Sequence, residues 1–135
     1  MTTTSDTVTV VCCALLGILL FLLGANVTRQ RASRAAGNQM PTDPADPLLI
    51  AQRAHGNAAE YIPTMIVLLL VCAALSDSWW VAALAIAALG VRSVHAIGML
   101  TSETLTAHGP LRQVGALGTY VTGIALGVTT IVTVI

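Results

Sequence analysis

The sequence predicts an all-α membrane protein, a bundle of four transmembrane helices. Three observations carry that expectation. Of the 135 residues, 56% are apolar and only 9% are charged, whereas a soluble domain carries about 25% charged residues. Four apolar runs stand apart along the chain, each close to the roughly 20 residues a helix needs to cross hydrocarbon. The positive charge is six arginines and no lysine, gathered mostly near two of the three connections. The length suits one domain and not two independent cores. The formal net charge is zero, and no basic run or aromatic-interleaved patch points to nucleic acid.

The first run goes from about Val8 to Val27. Its leading flank, "MTTTSDT", has no positive charge, and the arginines follow it, which is the reverse of a secretory signal. It is read as a retained span. A turn-rich loop follows, "GNQMPTDPADP", with three prolines. Asp46 then Pro47 forms a helix start, an N-cap acceptor followed by proline at the first helical position. The second helix is therefore expected from Pro47 to about Leu75. "SDSWW" is a tight connection with two tryptophans at interfacial depth. The third helix covers about Trp79 to Leu100, and the polar loop "TSETLTAHGP" leads to a fourth from about Leu111 to Ile135. The cysteines Cys12, Cys13 and Cys72 lie inside apolar runs with no metal-ligand spacing, so they read as small buried hydrophobes and no metal is expected.

Four spans put both termini and the second loop on one side. Arg29, Arg31, Arg34, Arg53 and Arg112 fall in, or beside, the first and third loops. The positive-inside rule places those loops in the cytoplasm and both termini outside. The expected location is a bacterial-type inner membrane, and an arginine-only composition rich in alanine and valine hints at a GC-rich genome, of a kind found in some bacteria that make a thiol other than glutathione.

The chemistry gathers in "RAHGNAAEYIP", residues 53 to 63. At about 100° per residue, Arg53, Asn57 and Glu60 fall within about 60° of one another. Tyr61 sits beside that stripe, and His55 points nearly opposite. On the third helix Arg92, His95 and Met99 share a face in the same half of the bilayer. A charge facing lipid at mid-membrane costs about 2.5–3.5 kcal/mol on insertion scales. Several ionisable groups at one depth therefore argue for a shared interior site. Two readings stay open: an Arg53–Glu60 or Arg92–Glu60 ion pair locking helices together, or a binding site. Arg31, Arg34, Arg53 and Arg92 around one glutamate would favour an anion that also carries an amine or amide. Carboxylates suit arginine forks, Glu60 suits an ammonium, and Asn57 and Tyr61 suit peptide groups. Pro63 leaves the carbonyl of Ala59 without its helical donor, which reads as a packing kink.

"RAHGNAAEY" resembles the signature of the MAPEG family, membrane-associated proteins of eicosanoid and glutathione metabolism, and the resemblance covers most of the chain. It implies a four-span subunit of a homotrimer. In glutathione-using members the residues matching Arg53, Asn57, Glu60 and Tyr61 bind glutathione. The residue matching His55 contacts it from the adjacent subunit. "RQRASR" resembles the family's basic segment through Arg31 and Arg34. "RSVHAIG" resembles a stretch with two tyrosines near the ligand, where this chain has His95 and Met99. Conjugating members also use an arginine shortly after the third helix to hold the thiol as thiolate. Here Ala107 or His108 stands near that position, and Arg112 comes about a turn later.

The expected ligand is therefore glutathione or another low-molecular-weight thiol, and the expected activity is that of a transferase or peroxidase acting on lipophilic electrophiles or hydroperoxides from the bilayer. A thiol is a poor nucleophile until ionised, with a free pKa of about 8.5. Arg31, Arg92 or a protonated His108 are the candidates for lowering it. Other members of the family bind lipid without catalysis, and the missing loop arginine favours that alternative. A proton-coupled transporter is disfavoured because the charges stop halfway across the membrane.

Overall fold

The computed structural model describes residues 4–34 and 40–135. The first three residues of the N-terminal flank and residues 35–39, which include "GNQ" of the first loop, lie outside that description. Four helices follow in order: α1 (Thr4–Ala32), α2 (Pro47–Leu75), α3 (Trp79–Leu100) and α4 (Pro110–Val134). Each is long and apolar enough to cross a membrane.

The chain runs up and down. At one end Ser5 Oγ donates to the carbonyl of Ser78 at 3.1 Å, so the start of α1 meets the α2–α3 connection. At the other end the Leu105 N–H donates to the Pro44 carbonyl at 2.9 Å, tying the third loop to the first. α2 and α3 pack together; α1 lies against both on one side and α4 against both on the other. Helix α1 outlasts its apolar run. It continues through Thr28, Arg29 and Arg31 to Ala32, because a helix keeps satisfying its own backbone after the side chains turn polar.

The surface is inverted relative to a soluble bundle. Large apolar side chains face outward, among them Phe21, Leu22, Val67, Leu117, Ile124 and Val132. The interior is lined by Ala51, Ala54, Ala58, Ala85, Ala88 and Ala96 around a few larger residues such as Leu16, Ile62, Leu69 and Leu126. Lipid gives no hydrophobic drive to pair helices, so close approach of small residues holds them. The seam between α3 and α4 shows this best. A Cβ on Gly98 would stand 2.5 Å from the Arg112 nitrogen, one on Gly115 2.5 Å from the His95 Cα, and one on Gly118 2.6 Å from Val91. The two backbones touch at Gly98 and Gly115, and Gly118 makes room for the Val91 side chain.

The start of α2 is fixed twice. Asp46 Oδ1 accepts from the Leu48 N–H at 2.7 Å, and the same oxygen takes the Arg34 guanidinium. Partial burial alone would raise the Asp46 carboxyl, but the Arg34 and Leu48 hydrogen bonds, with the Arg34 charge, hold it below the usual carboxylate range. A lowered pKa means the stabilisation is present above the unfolded carboxylate value, about 3.9, and is lost as pH falls through the folded value. Asp46→Ala should therefore melt below the wild type at neutral pH. The gap should close once pH drops below the carboxylate range, as read by thermal unfolding in detergent across pH. Asp46→Asn, which keeps a cap and loses the charge, should fall between them.

Candidate functional site

Arg92 is the organising residue. It is 1% exposed, and it is the largest fully buried side chain of the described structure. Its Nη2 donates to Asn57 Oδ1 at 2.8 Å and its Nη1 to Thr119 Oγ1 at 3.1 Å, so one guanidinium joins α2, α3 and α4. Thr119 passes its own hydroxyl proton to the Gly115 carbonyl at 2.7 Å. The guanidinium also lies 5.5 Å from the Tyr61 ring centroid, a cation–π contact. Its partners are an amide, a hydroxyl and a ring, none of them a carboxylate. Tyr61 in turn meets Tyr120 edge-on, 5.8 Å between centroids, and donates to the Tyr120 hydroxyl at 3.4 Å.

In front of this network lies a cavity of about 600 Å³, lined from α2 by Gln52, Arg53, Asn57 and Glu60, and from α3 by His95 and Met99. His108 of the loop and Arg112, Gln113 and Tyr120 of α4 complete the wall. Small-ligand pockets span about 300–1,000 Å³. Neither ion pair of the locking alternative forms: among the described residues no carboxylate meets Arg53 or Arg92, and Glu60 meets no guanidinium. Both Arg53 and Glu60 are exposed on the cavity wall. On the other side of Tyr61 and Tyr120 an apolar groove of about 320 Å³ runs between α2 and α4, past Met65, Leu68 and Ile124.

The structure thus brings Arg53, Asn57, Glu60 and His95 to one cavity, with Tyr61 and Arg92 directly behind Asn57. It does not bring Arg31 or Arg34 there. Arg34 is held by Asp46, and Arg31 is exposed at the end of α1, the helix on the far side of α2 from α4. The expected ring of four arginines around Glu60 is therefore not formed within one chain. His55 faces away, packed over Gly24 of α1, where a Cβ would come within 3.3 Å of its ring.

Arg112 corrects the sequence expectation. It belongs to α4, a turn late by count, yet it reaches the cavity. Its Nη1 donates to the carbonyls of Leu105 at 2.8 Å and Ala107 at 3.3 Å, which folds the loop back over the site. His108, read from sequence as a loop residue, also lines the cavity, its Nδ1 donating to the Thr106 carbonyl at 2.9 Å. Thr119 and Tyr120 were not singled out by sequence: a lone threonine hydroxyl in an apolar helix commonly bonds its own preceding turn, and a lone tyrosine does not name its partner.

Four membrane-length helices define a multi-pass membrane protein, with a polar, charged cavity between three of them. The chain belongs to the MAPEG family, whose sequence model matches residues 9–132. No curated protein matches it at a significant level.

Proposed function

We propose that the cavity binds glutathione or a related low-molecular-weight thiol, and that the protein transfers it to lipophilic electrophiles or uses it to reduce hydroperoxides. One observation carries this reading: Arg53 and Glu60 share a cavity wall, oppositely charged and with no ion pair among the described residues, beside an Asn57 already held by Arg92. A zwitterionic peptide would satisfy both charges at once. The apolar groove behind Tyr61 and Tyr120 would take the lipophilic partner. In this reading the chain works as a homotrimer, with Arg31, Arg34 and His55 turned toward a neighbour's ligand. The cavity then opens toward the cytoplasmic leaflet of the inner membrane.

The test is to titrate glutathione into the protein purified in detergent, following binding and thiolate absorbance. Saturable binding with thiolate is expected. Arg53→Ala should weaken binding about 10–100-fold, the loss of one charge-assisted hydrogen bond of about 1.5–3 kcal/mol. No binding by glutathione or other cellular thiols would overturn the proposal. The apolar groove also favours a second reading, a non-catalytic lipid-binding scaffold, which saturable binding without thiolate or turnover would select.

A further inference from the structure

Three buried side-chain polar atoms of the described residues have no hydrogen-bond partner: His55 Nδ1, Arg92 Nε and His95 Nε2. Of those three residues, only His95 lines the cavity. A buried polar atom without a partner costs about 1–3 kcal/mol, so one on a residue of the cavity wall asks for a ligand atom.

Its chemistry is fixed by the other ring nitrogen. His95 Nδ1 lies 3.1 Å from the Arg112 carbonyl oxygen. A carbonyl only accepts, so Nδ1 carries the proton and Nε2 is left with a lone pair. Gly115 packs against the His95 backbone and Cβ, which places the residue beside α4, and the Nδ1 hydrogen bond to the Arg112 carbonyl orients the ring. The residue is 5% exposed, so bulk water does not serve Nε2.

We infer that His95 Nε2 is the general base that takes the thiol proton. This rests on the thiol-binding reading above. The S–H bond breaks, its electron pair stays on sulfur, and the proton goes to Nε2. The resulting imidazolium keeps its Nδ1–H on the Arg112 carbonyl. Sulfur then forms the C–S bond to a lipophilic electrophile bearing a leaving group. The displaced pair departs with that group, and the imidazolium then returns its proton to water, or to the leaving group where that group is basic enough to take it. An imidazole can both take up and give back a proton, which suits a base better than a guanidinium that never gives up its proton. The charged and titratable groups around it are Arg53 and Glu60 of α2, Tyr61 behind them, Arg92 on its own helix, His108 of the loop, and Arg112 and Tyr120 of α4.

The experiment compares wild type with His95→Gln, which can accept a hydrogen bond but not a proton. Glutathione affinity at pH 7 should change only a few-fold, while turnover of an activated aryl halide falls about 100-fold or more. The pH profile of bound thiolate should shift up toward that of the free thiol. Should His95→Gln not fold, His95→Ala assayed with added imidazole should regain thiolate. Glutathione bound by His95→Gln with a wild-type thiolate profile would overturn the base and leave the binding reading intact. Failure of imidazole to restore thiolate in a folded, glutathione-binding His95→Ala would overturn it equally. Failure of the wild type to bind any thiol would instead remove the reading on which it rests.

Discussion

Arg92→Met should bind glutathione at least 100-fold more weakly than the wild type while losing only about 1–3 kcal/mol of stability. The two effects separate because Arg92 serves two kinds of neighbour. Methionine fills much of the same volume and removes a buried cation, whose desolvation is unfavourable where no carboxylate answers it. Against that gain, Thr119 Oγ1 and Asn57 Oδ1 lose their donors. Thr119 is buried and carries most of the loss; Asn57 is half-buried and can turn to another partner. That turning is what binding would register, since Asn57 would no longer present a fixed amide to the cavity. Arg92→Lys should bind nearly as poorly, because a point ammonium cannot span two acceptors on different helices. Adding Asn57→Leu to Arg92→Met should restore part of the stability and none of the binding. Thermal unfolding and glutathione titration in detergent read both. Wild-type affinity in Arg92→Met would show that the guanidinium does not position the site.

The stripe of Arg53, Asn57 and Glu60 was legible because helical spacing alone puts those residues on one face. Asp46 followed by Pro47 marked the start of α2 because capping chemistry is local. Periodicity says which residues share a face, however, and not which neighbour they meet. Arg53 and Arg92 look alike in sequence, each an arginine on a polar stripe at similar depth. One lines an open cavity and the other is sealed behind it, and the difference is made by Thr119 on α4. Arg112 escaped for a related reason. Counting residues from the end of α3 measures chain length, whereas the loop doubles back on the Arg112 guanidinium and returns it to the site. Arg34 followed the same rule in reverse: its basic segment suggested a ligand, and the nearby cap of α2 claimed it. The spacing Gly115 and Gly118 was the available sign that α4 lies close against α3, since small residues one turn apart admit another helix.

That close approach makes a prediction about sign as well as size. Gly115→Ala should lower the thermal stability of the protein, and Gly127→Ala, on the same helix, should raise it. Alanine favours a helix over glycine by about 1 kcal/mol wherever its methyl group has room. At Gly127 nothing lies within 4 Å of the added carbon. At Gly115 the methyl would meet the His95 nitrogen and Cα at 2.5 Å and Cβ at 2.6 Å. Those are backbone atoms and the root of a side chain, so relief requires moving α3 itself. Overpacking of this kind costs about 1–3 kcal/mol, enough to reverse the propensity gain. The movement would also draw His95 Nδ1 from the Arg112 carbonyl and release the ring from its single orientation. Gly115→Ala should accordingly lose thiolate formation along with stability, and Gly127→Ala should keep it. Equal stabilisation by both substitutions would mean that the α3 and α4 backbones do not touch, and the fixed orientation of His95 would lose its support.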